Sequence, residues 1–242
     1  SSDVCSSDLC IRNVPRRSLR RPLREPKRAE VPFEIVHTDV LQLPRAGDGC
    51  QYLLVIICSF SKWTELVPLR SKSATDVAKG LVETWITRFG VPKVLVSDRG
   101  SEFINELFKS LQNILDYQHV FASVAHPQAN GQAERVNRSI LEYLRKFLDN
   151  NNWTDFLPFV RFCLNSSVSN TTNESPFVCL FLRPPIFPYD AILNTRTYYS
   201  PSYEFIAIAS WKRAYEQIIR SRDKNFIQNK NYFDKSSDSY VL

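Results

Sequence analysis

The sequence predicts an α/β fold, a mixed five-stranded sheet flanked by helices, with a helical extension at the C-terminal end. Three apolar runs of strand length, 33–41, 52–58 and 63–69, follow one another closely before any helical pattern begins. From residue 74 onward, segments with helical spacing alternate with short apolar runs, which gives the order β-β-β-α-β-α-β-α. That alternation is the pattern of helices layered on a sheet. With 43% hydrophobic and 12% aromatic residues in 242 positions, the chain can fill one or two packed domains and is not a disordered polymer.

Each element has its own signal. Residues 33–41 read as a strand, Gly47-Asp48-Gly49 supplies a turn, and 52–58 is a β-rich apolar run suited to a central strand. Residues 63–69 alternate apolar and polar side chains, with Pro68 near the end, and complete an antiparallel meander. Val77, Ala78, Leu81, Trp85 and Phe89 recur at helical intervals over 74–89, and Gly90 occupies the C-cap position. After Pro92, residues 93–96 form a short buried strand, 102–115 a helix, and 117–121 the fifth strand. Residues 122–131 hold Pro127, Asn130 and Gly131, the composition of an exposed and mobile loop. A long helix over 132–150 buries Ala133, Val136, Ile140, Leu144 and Phe147, and another over 153–167 closes the core. The Pro-rich stretch 183–188 marks the core's boundary near residue 190. Residues 202–233 read as one or two basic helices with Trp211, Tyr215, Ile218 and Ile219 on the apolar side, within an extension spanning 191–242.

Charge and cysteine usage narrow the function. Residues 10–30 carry eight basic and two acidic side chains, so the chain's net charge of +6 resides in this one arm. Pro15, Pro22 and Pro26 keep the arm extended. Such a run suits phosphate contacts driven by counterion release, or is a solvated linker. Residues 1–9, Ser-Ser-Asp-Val-Cys-Ser-Ser-Asp-Leu, look like the translation of a sequencing adapter and stand outside the fold. Cys5, Cys10, Cys50, Cys58, Cys163 and Cys179 lack paired spacing, which suits free buried thiols in a reducing, intracellular compartment. The longest apolar run, 52–58, is far short of the roughly 20 residues a membrane helix needs.

The chemistry concentrates in three carboxylates. Asp39 stands inside an apolar strand. Asp98 follows the strand 93–96, and Glu134 opens the long helix after 35 intervening residues. Carboxylates brought together from separate elements suit hard divalent cations, which prefer oxygen ligands. Two such ions bridging a phosphodiester activate the attacking oxygen and stabilise the leaving one. Glu134 also has a structural reading: an acid in the first helical turn complements the dipole and pairs with Arg138.

These residues sit in motifs that resemble one family. Val36-His37-Thr38-Asp39, Phe60-Ser61-Lys62-Trp63, Phe89-Gly90-Val91-Pro92, Ser97-Asp98-Arg99-Gly100-Ser101-Glu102-Phe103, residues 126–138 and Asn173-Glu174-Ser175-Pro176-Phe177 together resemble the integrases of retroviruses and gypsy-like long-terminal-repeat retrotransposons. The resemblance spans about 33–190. It implies an RNase H-like catalytic core in which Asp39, Asp98 and Glu134 hold two Mg²⁺ ions, with Mn²⁺ as a substitute. It implies an enzyme that trims the 3′ ends of element DNA and joins them to target DNA. DNA and further copies of the chain, as a dimer or larger assembly, are the implied partners, with no membrane. The implied site of action is the nucleus, reached through a cytoplasmic virus-like particle. It also implies an N-terminal zinc domain of which residues 10–32 retain the end, with Cys10 as a remnant ligand and no complete zinc site. A C-terminal DNA-binding module is expected beyond residue 242.

Other candidates attach to the same region. His126, Gln128, Asn130, Gln132, Arg135 and Arg138 are candidates to touch phosphate or bases. His37 shares a strand face with Asp39 and is either its partner or a hydrogen-bonded structural histidine. Lys62 and Trp63 read as strand-edge and core residues. The helices 74–89 and 153–167 bury either a homodimer face or intramolecular surface. Two other readings keep the fold: a domesticated host protein that binds DNA without integrating it, and a ribonuclease H or cut-and-paste transposase. The residues between Gln128 and Arg138 resemble the retroelement class more than these last two.

Overall fold

The computed structural model describes residues 29–122, 127–145 and 152–193, and helical residues between 208 and 228 (208–209, 212–213, 215–221, 223–224 and 227–228); of 127–134, 188 and 191 it describes the backbone alone. Five strands form one sheet in the order β3-β2-β1-β4-β5. They are β1 (Ile35–Gln42), β2 (Tyr52–Cys58), β3 (Thr64–Leu69), β4 (Val94–Ser97) and β5 (Gln118–Phe121). β1–β2 and β2–β3 are antiparallel, whereas β1–β4 and β4–β5 are parallel. The mixed five-stranded sheet read from the sequence is therefore the observed one. β2 is apolar on both faces and buried throughout except Tyr52, as a strand covered on both sides must be.

Each face of the sheet carries its own core. On one face lie Val36, Leu54, Ile56 and Cys58 with Val77, Leu81, Trp85 and Phe108. The helical residues come from α1 (Ala74–Leu81), which continues through a π-helical turn (Val82–Ile86) into Thr87–Phe89, and from α2 (Glu106–Leu115). Gly80 permits α1 to press close, since a Cβ there would sit 3.2 Å from Leu54 and 3.3 Å from Val67. On the other face Leu53, Val55, Ile57 and Leu66 meet Ile140, Leu144, Trp153, Leu157 and Val160. These belong to α3 (Pro127–Leu144) and α4 (Trp153–Ser166). Burying each such large side chain contributes about 1.5–3 kcal/mol. Ile218 of the C-terminal extension is buried in the first core, and the Tyr215 ring lies 5.7 Å from that of Phe60; Trp211 lies outside the described residues.

Several boundaries differ from the sequence reading for identifiable reasons. α2 starts at Glu106 rather than 102, because Asn105 accepts the Phe108 amide as N-cap while its own amide donates to the Ser101 and Glu102 carbonyls. α3 starts at Pro127, so residues 127–131 are helical backbone and not loop. Proline is well suited to a first helical position, and Gly131 costs only about 1 kcal/mol inside a helix. Residues 123–126 and 146–151 lie outside the described ones. Two short helices flank the Pro-rich stretch, α5 (Pro176–Phe181), capped by Ser175, before it and α6 (Pro188–Ile192) at its end. Cys50, Cys58 and Cys179 are buried free thiols, but Cys163 is exposed. Among the described residues no helix is long and apolar enough to cross a membrane.

The β3 edge is closed by side chains. Asn165 of α4 accepts from the Thr64 amide (2.8 Å) and donates to the Thr64 carbonyl (2.9 Å), as a neighbouring strand would. Pro68 is tolerated because β3 is an edge strand. Glu65, fully buried, accepts from Trp63 Nε1 and pairs with Arg88 (3.1 Å) and Arg161 (2.9 Å). Arg88 follows α1 on one face and Arg161 is on α4 of the other, so one carboxylate joins both helical layers around the edge.

A buried charge stripped of its partners costs several kcal/mol. The double variant Arg88→Ala/Arg161→Ala should therefore lose on the order of 3–5 kcal/mol in urea denaturation. Each single variant should lose much less, and Glu65→Gln in the double background should recover most of the loss.

Candidate active site

The sheet's one antiparallel-to-parallel switch is at β1, and the candidate site lies at its carboxyl end. β1 pairs with parallel β4 through Ile35↔Val94, Val36↔Leu95 and His37↔Val96. Continuing that register by two residues brings Asp39 level with Asp98, which directly follows β4. Two acids 59 residues apart in the chain thus meet because two strands run the same way in register.

Each acid is fixed by hydrogen bonds. Asp39 Oδ1 accepts from the Val40 amide (2.9 Å) and Oδ2 from Asn137 Nδ2 (2.7 Å). Asp98 Oδ1 accepts from the Gly100 amide (3.0 Å). The Ser97 hydroxyl donates to the Asp98 carbonyl (2.9 Å) and lies 2.9 Å from His119 Nε2. With the Ser97 proton so engaged, His119 must be the donor, which fixes its tautomer. Burial among Phe103, Phe108 and Phe121 pushes the His119 pKa down to about 4, so the ring is neutral near pH 7.

Burial raises the Asp39 pKa, opposed by the bonds from Asn137 and Val40 and reinforced by the negative charges of Asp98 and Glu102. Glu102 is a site neighbour that the sequence reading did not single out. The turn after Asp98 folds its carboxylate back over Gly100, where a Cβ would come within 2.6 Å of it. The sequence signal was present in the Asp98–Glu102 spacing, but it read as the start of a helix. Asn137 was missed as well, although it lies one helical turn beyond Glu134.

The remaining candidates divide by position. Glu134 belongs to α3, now in its second turn rather than at its start; its side chain lies outside the described residues. The helix backbone puts it three residues before Asn137, hence on the same side of α3, and Asn137 touches Asp39. The side chains of Gln128, Asn130 and Gln132 also lie outside the described residues, as do His126 and Cys10 entirely. Arg135 and Arg138 are exposed on α3. His37 is not a partner of Asp39, whose bonds go to Val40 and Asn137, nor is it a fully hydrogen-bonded histidine. It is 8% exposed and its Nδ1 is buried without a partner. Lys62 (φ 67°) lies in the tight β2–β3 turn, and Trp63 is core.

The donor set suits a hard divalent cation. Both Asp39 oxygens and Asp98 Oδ1 each accept one hydrogen bond, which leaves lone pairs for coordination, and a cation would offset the repulsion that raises the Asp39 pKa. Among the described residues no group of three metal-ligating side chains converges.

The mixed sheet, with acids toward the carboxyl ends of its first and fourth strands, has the RNase H-like architecture. Residues 29–127 match the integrase core domain; the match ends before Glu134. Over 228 residues, 90% of the chain, the sequence is 27% identical to the retrovirus-related Pol polyprotein from transposon 412 of Drosophila melanogaster, spanning 18% of it. Over 143 residues, 57% of the chain, it is 38% identical to the Gag-Pol polyprotein of feline leukemia virus, spanning 8% of that protein. The chain thus covers less than a fifth of either relative. The fold is similar to the HTLV-2 integrase catalytic core domain in complex with magnesium (TM-score 0.50, 19% identity, 61% of this chain and 95% of that one). It is also similar to a chain of the simian T-cell lymphotropic virus intasome in complex with PP2A regulatory subunit B56 gamma (TM-score 0.58, 18% identity, 80% and 67%). Over residues 29–127 the chain is similar to the integrase core domain, and its mixed five-stranded sheet is the fold of the integrase catalytic core it resembles.

The pKa of His37 is lowered to about 4, first by burial and then by the charge of Lys62. As pH falls through 6.5 the unfolded chain takes up a proton that the folded chain refuses until about pH 4. Stability is therefore full above pH 6.5 and lost toward pH 4. Replacing His37 by Leu should shrink the loss measured by urea denaturation between pH 6.5 and 4.5 by roughly 2–3 kcal/mol; an unchanged slope would show that His37 titrates normally.

Proposed function

We propose that this chain is the catalytic core of an integrase that trims the 3′ ends of element DNA and joins them to target DNA by metal-dependent phosphoryl transfer. The observation that carries the reading is that the parallel β1–β4 register, extended by two residues, sets Asp39 level with Asp98, whose charge acts on it, with α3 tied to Asp39 through Asn137. Asp39, Asp98 and Glu134 would hold the metal. Two Mg²⁺ ions bound there, or Mn²⁺ in their place, would neutralise charge on the reacting phosphate and orient the attacking and leaving oxygens.

The chain's own residues supply preorganisation. Val40 and Asn137 fix the Asp39 rotamer, and Gly100 and the Ser97–His119 pair fix Asp98, so little rearrangement is needed when substrate arrives. In trimming, a water oxygen attacks phosphorus and a 3′-hydroxyl is left on the element strand. In joining, that hydroxyl attacks a target phosphodiester, one P–O bond forms as another breaks, and no covalent enzyme intermediate is required. Arg135 and Arg138, exposed on α3, are placed to contact phosphate, and the basic composition of residues 10–30 suits the same role. The exposed Phe159 and Phe162 on α4 (68% and 37%) support a second copy of the chain as a partner, and the nucleus as the place of action follows from the proposed reaction.

Asp98→Asn should abolish joining of a 3′-recessed duplex to a target plasmid, in Mg²⁺ and in Mn²⁺, while DNA affinity changes little. An Asp98→Asn protein that still joined strands would sink the assignment. Asn137→Leu should leave Asp39 without its fixed donor, raise the Mg²⁺ concentration needed for half-maximal joining several-fold, and weaken Mn²⁺ binding measured by calorimetry without DNA. Asn137→Gln should restore part of both.

A further inference from the structure

A second polar site lies on the same rim of the sheet as Asp39 and Asp98. The β1–β2 hairpin and the end of β3 border an open cavity of about 360 Å³ lined by Arg45, Asp48, Gly49, Gln51 and Arg70. We propose that this cavity is a subsite for backbone phosphates of DNA entering or leaving the catalytic carboxylates. This rests on the integrase reading and assigns that reading a contact outside the catalytic residues.

The lining gathers two exposed arginines and a glutamine around one acid. The hairpin's backbone amides are already engaged: Leu43 with the Gln51 carbonyl, Ala46 with Cys50, Gly49 with Ala46, and Gln51 with Leu69. The Asp48 carboxylate accepts from the Cys50 amide (2.9 Å) and is also bonded by the Thr154 side chain at the start of α4, so part of its capacity serves to tie the hairpin down. The lining thus sets two arginines, Arg45 and Arg70, and Gln51 against one acid, with Arg70 also bonded to the Cys50 side chain and close to Asp48. Gly49 adopts φ 88° in the turn, a conformation that favours glycine, and Arg70 Nε would lie 4.0 Å from a Cβ there, an ordinary contact. Two guanidiniums and an amide in one lining match an oxyanion with several acceptor oxygens.

Position selects the phosphodiester. β1 runs from Asp39 directly into the hairpin that bears Arg45. β3, antiparallel to β2, ends at the same rim and delivers Arg70. Arg70 lies three strands from Asp98 in the order β3-β2-β1-β4, roughly 14 Å across the sheet at about 4.8 Å per strand. It also lies four residues beyond the level of Leu66, which pairs through Val55 with Asp39, roughly 13 Å along the strand. Together these give a separation of about 20 Å, or about six base pairs of duplex rise. The net charge outside residues 10–30 is zero, so two arginines gathered in one cavity are a local concentration and not part of a general basic surface.

The test uses the full chain, fluorescent linear duplex with free ends, and a covalently closed minicircle without ends. The variant Arg45→Ala/Arg70→Ala is compared with Lys79→Ala/Lys93→Ala, which removes the same charge elsewhere. The plot of log affinity against log salt should become shallower by about 1–2 for the cavity variant. Its affinity defect should then be up to about tenfold larger at 50 mM than at 200 mM salt, with an unchanged melting temperature and a control that follows wild type. A change confined to the linear duplex assigns the subsite to element ends; a change on the minicircle assigns it to target DNA. A salt slope no different from the control's overturns the proposal, and with strand joining intact the integrase reading survives that result. Loss of stabilisation by inorganic phosphate with an unaltered DNA slope makes the cavity a free-phosphate site and also overturns it. A wild-type chain with no salt-dependent DNA affinity would sink both readings.

Discussion

The parallel pairing of β1 with β4 is the constraint from which the site follows. A sheet built only from the antiparallel meander would leave Asp39 isolated on a strand face. Adding β4 in the same direction brings Asp98 alongside, and the crossover that permits it requires α1 on one face of the sheet. The opposite face is then free for α3, whose Asn137 reaches Asp39. Sheet topology thus determines which side of the sheet carries the acids and which helix approaches them.

Asp39 is held under tension between burial and use. An apolar strand is a poor place for a carboxylate, and both the surroundings and the neighbouring acids favour its neutral form. Two hydrogen bonds keep it oriented, and a bound cation would reverse the balance by rewarding the charged form. Such a group adds little to stability, and its placement fits a role in binding rather than in packing.

The sheet was legible in the sequence because β2 is apolar at nearly every position and because Val77, Leu81 and Trp85 keep helical spacing. What escaped was governed by single side chains acting on the backbone. Asn105 ends one turn and starts a helix, and periodicity carries no trace of that. Pro127 reads as a loop residue until its role as a helix-starting residue is allowed for. At the site, Asp39 and Asp98 were visible as acids without structural duties. Glu102 and Asn137 were not, since a turn must fold and a helix must dock before either has a role. The histidine at 37 was placed on the right face, but its lack of a partner at Nδ1 depends on packing that no local pattern encodes.

Glu65 has a consequence beyond its own ion pairs. The sheet separates the protein into two cores that share no side chains, and such an architecture invites one layer to loosen while the other holds. A single buried acid gripped by arginines from both layers removes that independence, because slackening on either side exposes a charge that both sides need neutralised. The two halves therefore melt and form together, as one cooperative unit.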